Sequence, residues 1–342
     1  MNLKKRHLNI SILGFALVLI ILLSLYLGSV KIPLSDVLKS IFGIPIDNST
    51  WQYIVLEYRL PKSLTAILIG SGLSLSGLLM QTLFRNPLAG PYVLGLSSGA
   101  SLGVAILVMG SGLFGGILGS AFFSKWSIII AASLGSLMVM LAVLTTAKKV
   151  KDTMTLLIIG LMVASLTSAV VSVLAYFSNA EQLQMYIFWS FGSLGNLNWM
   201  EVGLLGICWL IGIILSIFSI KNLNALLLGE NYAKSMGVSL SRNRLIIIIS
   251  TSILAGSATA FAGPIAFVGL AVPHLVRQLV KTNDHLILLP SVLIAGAIVM
   301  LICDVIAQLP GSDLTLPINA VTSIFGAPIV IWLLVRKQKI MF

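Results

Sequence analysis

Among ten acidic residues, only Asp304 sits well inside an apolar run; the other nine fall in polar connections or near the ends of apolar stretches. A carboxylate in that setting suits a proton or sodium relay, because ionisable groups at membrane depth are costly and kept for function. One such group is thin support for an ion-coupled carrier, which stands as the alternative reading. The three histidines, His7, His274 and His285, are far apart and lie in connections or at the ends of apolar runs, so they assemble no metal site. Cys208 and Cys303 both fall inside apolar runs and read as small buried side chains, neither a disulfide framework nor a metal pair. No G-x-x-x-x-G-K-[ST] loop occurs, nor any Gly-Lys pair, so the usual cradle for nucleotide phosphates is missing. No Ser-His-Asp or Cys-His grouping has a context favouring hydrolysis. The chain reads as no enzyme in itself and as the holder of no cofactor.

The elements that must position these groups are set by composition. The 342 residues are 58% hydrophobic and 9% charged, with a mean hydropathy of +1.07, whereas soluble chains carry about 25% charged residues. About 20 apolar residues cross a bilayer core as helix. Breaking the chain at charged and Pro/Gly-rich clusters gives spans near 9–29, 63–84, 92–110, 127–147, 155–176, 199–220, 244–262, 265–281, 286–306 and 318–335. With the N-terminus inside, sixteen of the 21 basic residues fall on the inner side; Lys31, Lys39, Arg59, Lys62 and Lys125 fall on the other. That bias orients the chain. The expected fold is all-α: one polytopic permease domain over 1–342, with ten transmembrane helices and both termini cytoplasmic. The formal charge of +11 follows from the same short clusters, and no contiguous basic face exists for nucleic acid. Lys4, Lys5 and Arg6 ahead of a long apolar stretch read as a retained first span, not a cleaved leader.

Small residues recur four apart at Gly95, Gly99 and Gly103, at Gly112 and Gly116, and at Ser252, Gly256 and Ala260. Such spacing lets helix backbones approach closely, within one chain or across a dimer seam. Three breaks stand out. "RNPLAGP" (85–91) follows the second span, and its two prolines stop a helix. It is a plain turn or a constriction lining a cavity, since irregular backbone at membrane depth must be buried in protein or face a cavity. "KDTMT" (151–155) enters the fifth span from the same side. In "AGPIAFVGLAVPHLVRQL" (262–279), Gly263-Pro264 and Pro273 bracket an eight-residue apolar segment, with a kinked helix pair as the simpler reading. Two connections exceed a tight turn, 30–62 and 221–243, and in the second a short helix from about Asn231 to Met236 presents Tyr232 and Met236 on one face.

"RLPKSLTAILIGSGLSLSGLLMQTLFRNPLAGPYVLGLSSGAS" (59–101), "FWSFGSL" (188–194), "LLLGENYAKSMGV" (226–238), "GPIAFVGLAVPHLVR" (263–277) and "LPINAVTSIFGAPIVIWLL" (316–334) occur in that order. Together they resemble the FecCD family, permeases of ATP-binding cassette (ABC) importers for iron–siderophore, haem and vitamin B12 chelates. The resemblance implies a homodimer in a bacterial inner or plasma membrane. It further implies two ATP-binding cassette subunits as partners, and a periplasmic or lipid-anchored binding protein that delivers a metal chelate. It assigns cytoplasmic gate roles to Asn86 and Leu88 and, with looser alignment, to Thr153 and Met154. It assigns Gly229, Glu230, Ala233 and Gly237 to a helix that couples to the ATPase, and Arg59 and Lys62 to docking of the binding protein. Lys62 stands where the family often has arginine, which turns a bidentate fork into a point charge. "DVIAQ" (304–308) places Gln308 where "D-x-x-A-R" would have arginine, and "TLPIN" replaces "ELPVG". The outer face therefore loses one charge of each sign, which weakens the expectation that docking uses salt bridges on both lobes.

Overall fold

The computed structural model describes residues 3–110, 124–150, 153–310 and 314–335, and among these every regular element is helical. Helices are the answer that lipid allows, because each pairs its backbone N–H and C=O groups within one segment. Chain order begins with α1 (Leu3–Tyr26), α2 (Leu34–Ile41) and α3 (Ser49–Tyr53); a π-helical turn (Ile54–Arg59) then leads into α4 (Leu60–Phe84). A 3-10 turn (Pro91–Leu94) precedes α5 (Leu96–Val108), followed by α6 (Lys125–Lys149), α7 (Thr153–Phe177), α8 (Ala180–Ser190) and α9 (Trp199–Leu227). Last come α10 (Glu230–Ser235), α11 (Leu240–Ala262), α12 (Val268–Val280), α13 (His285–Ala307) and α14 (Ile318–Val335).

Among the described residues, six helices are long and apolar enough to cross a membrane: Ser49–Phe84, Lys125–Thr146, Met154–Phe177, Trp199–Leu227, Leu240–Ala262 and His285–Ala307. Shorter apolar helices cover Ile10–Tyr26, Leu96–Val108, Val268–Val280 and Ile318–Trp332. Three details differ from the sequence expectation. The second apolar helix starts at Ser49, well before residue 63, because Asn48 caps it by accepting from the Thr50 and Trp51 N–H groups. The third begins only after Gly95, whose φ of +74° separates the 3-10 turn from α5. Pro273 brackets nothing: α12 runs through it, and the true break is 263–267, between Gly263 at φ +77° and Phe267 at φ +65°. The Asn319 side chain accepts the Ala266 N–H at 3.1 Å, satisfying a backbone donor that the break frees.

The chain packs as two compact units. The first takes in residues up to Leu75, Ser193–Trp209 and residues from Ile265; the second takes in Ser76–Gly192 and Leu210–Pro264. In the first, α13 packs against α1, α12 and α14, and α4 crosses α13 where Gly70 faces Gly296. A Cβ on either glycine would collide with the carbonyl of the other. Leu25, Ile32, Val37 and Val55 form a small core under α2 and α3.

In the second unit, α5 packs against α6, α7, α8 and α11. A Cβ on Gly99 would lie 2.6 Å from Gly135 O, and one on Gly103 would strike Ala131 O. The Gly99/Gly103 ladder therefore serves intramolecular contact. Ala260 joins Ala100, Val104 and Ala132 in one core, and Gly256 faces Ser136, so the ladder on α11 does the same. Gly112 and Gly116 lie outside the described residues.

Candidate functional site

The break after α4 is held by its own side chain. Arg85 takes φ +48°, the Asn86 N–H returns to Gln81 O, and Asn86 Oδ1 accepts the Leu88 N–H at 2.9 Å. This asparagine turn lets Pro87 end the helix without stranding the backbone. Leu88 is exposed. The following 3-10 turn packs against α7, and a Cβ on Gly95 would lie 3.3 Å from Gly160 O. The helix led by Thr153 and Met154 is thus brought beside the turn led by Asn86 and Leu88. Met154 is exposed; Lys151 and Asp152 of the second break lie outside the described residues.

The short helix expected near Asn231–Met236 is α10. Gly229 precedes it at φ +108°, and it closes on Gly237 at φ +82°. The Gly237 N–H bonds to Lys234 O at 2.9 Å and the Val238 N–H to Ala233 O at 3.0 Å, a Schellman closure that requires the left-handed residue at Gly237. Glu230 lies in the first turn and Lys234 in the last, each favourable to the helix dipole. Ala233 is fully buried against Ala225, Leu226, Val238 and Leu240. It therefore faces the chain and seats the helix. Tyr232 and Met236, one turn apart, are exposed, and Leu228 is exposed just ahead of the helix. Of these, Leu228 was missed in the motif; three large apolar side chains around a short polar helix were the available signal.

At the far end of α4, both expected docking cations are engaged inside the first unit. Arg59 is 8% exposed. Its Nη1 donates to Leu25 O at 2.7 Å and Tyr26 O at 2.9 Å, and its Nη2 to Val30 O. The first two carbonyls end α1 and the third lies in the chain just beyond it, and a guanidinium fork is suited to collecting them. The donors of Arg59 are thus engaged within the chain, and the docking role that the resemblance implies for it stays an expectation. Lys62 Nζ lies 3.1 Å from Asp304 Oδ1, with side chains 24% and 3% exposed. Gln308 Nε2 donates to Asp304 Oδ2 at 2.8 Å. The buried carboxylate that suggested an ion relay thus has a cation on one oxygen and an amide on the other. Among the described residues, no three His, Cys, Asp or Glu side chains gather as a metal site.

A family model described as the FecCD transport family matches residues 16–336. The chain belongs to that family. The vitamin B12 import system permease BtuC of Klebsiella pneumoniae is 33% identical, with 98% of this chain and 97% of the relative aligned. The hemin transport system permease HmuU of Yersinia pestis is 35% identical over 96% of each chain. A solved metal-chelate-type ABC transporter in an inward-facing conformation superposes with a TM-score of 0.82 at 32% identity, covering 96% of this FecCD chain and 99% of the other. This FecCD protein is accordingly the permease subunit of an ABC importer, a multi-pass helical membrane protein.

Proposed function

We propose that this permease imports a metal chelate, of the haem, cobalamin or iron–siderophore class, by alternating access powered by separate ATPase subunits. The relatives' own cargoes support the class. The observation that carries the mechanism is α10: a capped helix, seated by Ala233, whose exposed Tyr232 and Met236, with exposed Leu228 just ahead of it, are open to a partner. We read these side chains as the docking site for the ATPase, and Asn86, Leu88, Thr153 and Met154 as a cytoplasmic gate. The six long and four shorter apolar helices among the described residues correspond to the ten intervals read from sequence, which supports ten spans; the bias of basic residues to one side supports cytoplasmic termini, and we place the chain in a bacterial plasma membrane. Only 17% of α7's apolar window is buried within the chain, which leaves a large apolar face for lipid and for a second copy in a homodimer.

Uptake into proteoliposomes tests the reading. With its ATPase subunits and binding protein, the permease is expected to accumulate hemin, cyanocobalamin or a ferric siderophore when ATP is present. Alone it should neither hydrolyse ATP nor concentrate any of the three. Accumulation by the bare chain on a proton or sodium gradient would remove the reading. Titrating the cognate binding protein with the same three compounds identifies the cargo.

Two substitutions follow. Ala233→Trp cannot be accommodated in the seat of α10, and Met236→Glu places a charge on its apolar face; each is expected to cut co-purification of the ATPase subunit about ten-fold or more, since a charge or clash at an interface core costs about 2 kcal/mol or more. A full complement of ATPase in both variants would end the docking assignment. At the outer mouth we assign Arg59 to holding the end of α1, with any acidic partner left to Lys62. Arg59→Gln is expected to lower the melting temperature while changing binding-protein affinity at low salt by no more than about two-fold, the range of a weak exposed pair. A loss of about ten-fold, or about 1.4 kcal/mol, would restore the docking role to Arg59.

A further inference from the structure

α10, the end of α6 and the start of α7 all belong to the second unit. After the Schellman closure the chain passes Ser239 and forms α11 from Leu240. Leu240 and Val238 pack with Ala225, Leu226 and Ala233, so the end of α9, α10 and the first turn of α11 share one apolar seat. Close-packed clusters move as bodies and do not deform smoothly, so a displaced α10 carries the start of α11 with it.

Arg244 lies one turn into α11 and is 8% exposed. Its Nη1 donates to Val150 O at 2.9 Å. Val150 is the C-cap of α6 in extended backbone, φ −98° and ψ 120°, with its own N–H on Thr146 O at 3.0 Å. Its carbonyl is therefore one that the helix leaves without a partner at its end. α7 starts at Thr153. A buried guanidinium is costly unless its donors are used, and a charge-assisted bond to a carbonyl is a strong way to use one.

We infer that Arg244 is a positioning residue that transmits movement of α10 to the gate, by tying Val150, at the end of α6 and just ahead of α7, to the start of α11. The inference rests on the proposed roles of α10 and of Thr153 and Met154. Because α7 also packs against the 3-10 turn Pro91–Leu94, a shift at its start reaches the segment led by Asn86 and Leu88. Arg244 acts through Val150 and needs no contact with cargo or nucleotide.

The test uses the complete complex with its ATPase subunits in nanodiscs, in a chain carrying Cys208→Ala, Cys303→Ala and the reporter Met154→Cys. The rate of reaction with a membrane-impermeant maleimide is read without nucleotide and with Mg-ATP plus vanadate. With Arg244 present, nucleotide is expected to change the labelling rate by about five-fold or more, a usual size for coupling between sites. Arg244→Ala should abolish that response while retaining the ATPase subunits in full, and Arg244→Lys, which keeps a charged donor, should recover part of it. An undiminished response in Arg244→Ala overturns the inference. If Arg244→Ala does not assemble, Arg244→Gln decides: its side chain is too short to hold Val150, so loss of the response supports the relay and an intact response overturns it. Ala233→Trp runs in parallel. If it sheds the ATPase while Arg244→Ala responds normally, the relay alone fails; if it and Met236→Glu both keep the ATPase in full, the coupling reading beneath the relay fails.

Discussion

Lys62→Met is expected to lower the thermal midpoint of the detergent-purified permease sharply and to reduce its folded yield. Removing one partner of a buried ion pair costs about 3–5 kcal/mol, because the other charge stays buried without compensation. Asp304 is the partner that would be stranded, with its side chain 3% exposed and only the Gln308 amide left to it. The reverse change should be milder: in Asp304→Asn, Lys62 is 24% exposed and can turn its ammonium toward water. Combining Lys62→Met with Asp304→Leu should return most of the lost stability, since apolar replacements of a whole buried pair are often neutral or better. Melting curves of the three variants check this. A single Lys62→Met with an unshifted midpoint would mean that the pair behaves like an exposed surface bridge. The same set bears on ion coupling, because Asp304→Asn should still support ATP-driven uptake. Loss of uptake with assembly and ATPase activity intact would return Asp304 to the role of a proton site.

Gly135→Leu should be at least as damaging. A Cβ on Gly135 would strike the carbonyl of Gly99, and the neighbouring contact of Gly103 with Ala131 lies along the same seam. The clash is with backbone, so no side-chain rotation relieves it, and α5 and α6 must separate. Lipid offers no hydrophobic drive to hold them together once the van der Waals contact is lost. Overpacking commonly costs about 1–3 kcal/mol even where side chains can yield, and more is expected here. Gly203→Leu on α9 is the matched control: a Cβ there meets nothing within 4 Å. Thermal stability and protease resistance should collapse in the first variant and hold in the second. Equal behaviour of the two would show that the seam tolerates separation.

Much of this architecture was legible from apolar length. A lipid-spanning segment must satisfy its backbone within itself, so its position depends on local sequence and little on its neighbours. The short helix α10 was readable for a related reason: Gly229 and Gly237 mark the ends of a helix that the residues between them suffice to form. The break at 263–267 was visible in Gly263-Pro264, but its extent was not. Whether a helix survives Pro273 depends on what satisfies the freed backbone groups, and Asn319, which serves the nearby Ala266 donor, comes from a distant part of the chain.

Charge partners were out of reach for the same reason. The family resemblance assigns Arg59 to docking on the outer side, yet its fork closes on carbonyls 29 to 34 residues away in sequence. Lys62 and Asp304 are 242 positions apart, and Arg244 and Val150 are 94 apart. Local sequence by itself determined where the long apolar helices lie and, through the family motifs, what kind of machine they build. Only the tertiary structure decided which polar groups face one another, because a buried charge is governed by whatever the packing of distant helices brings within about 3 Å of it.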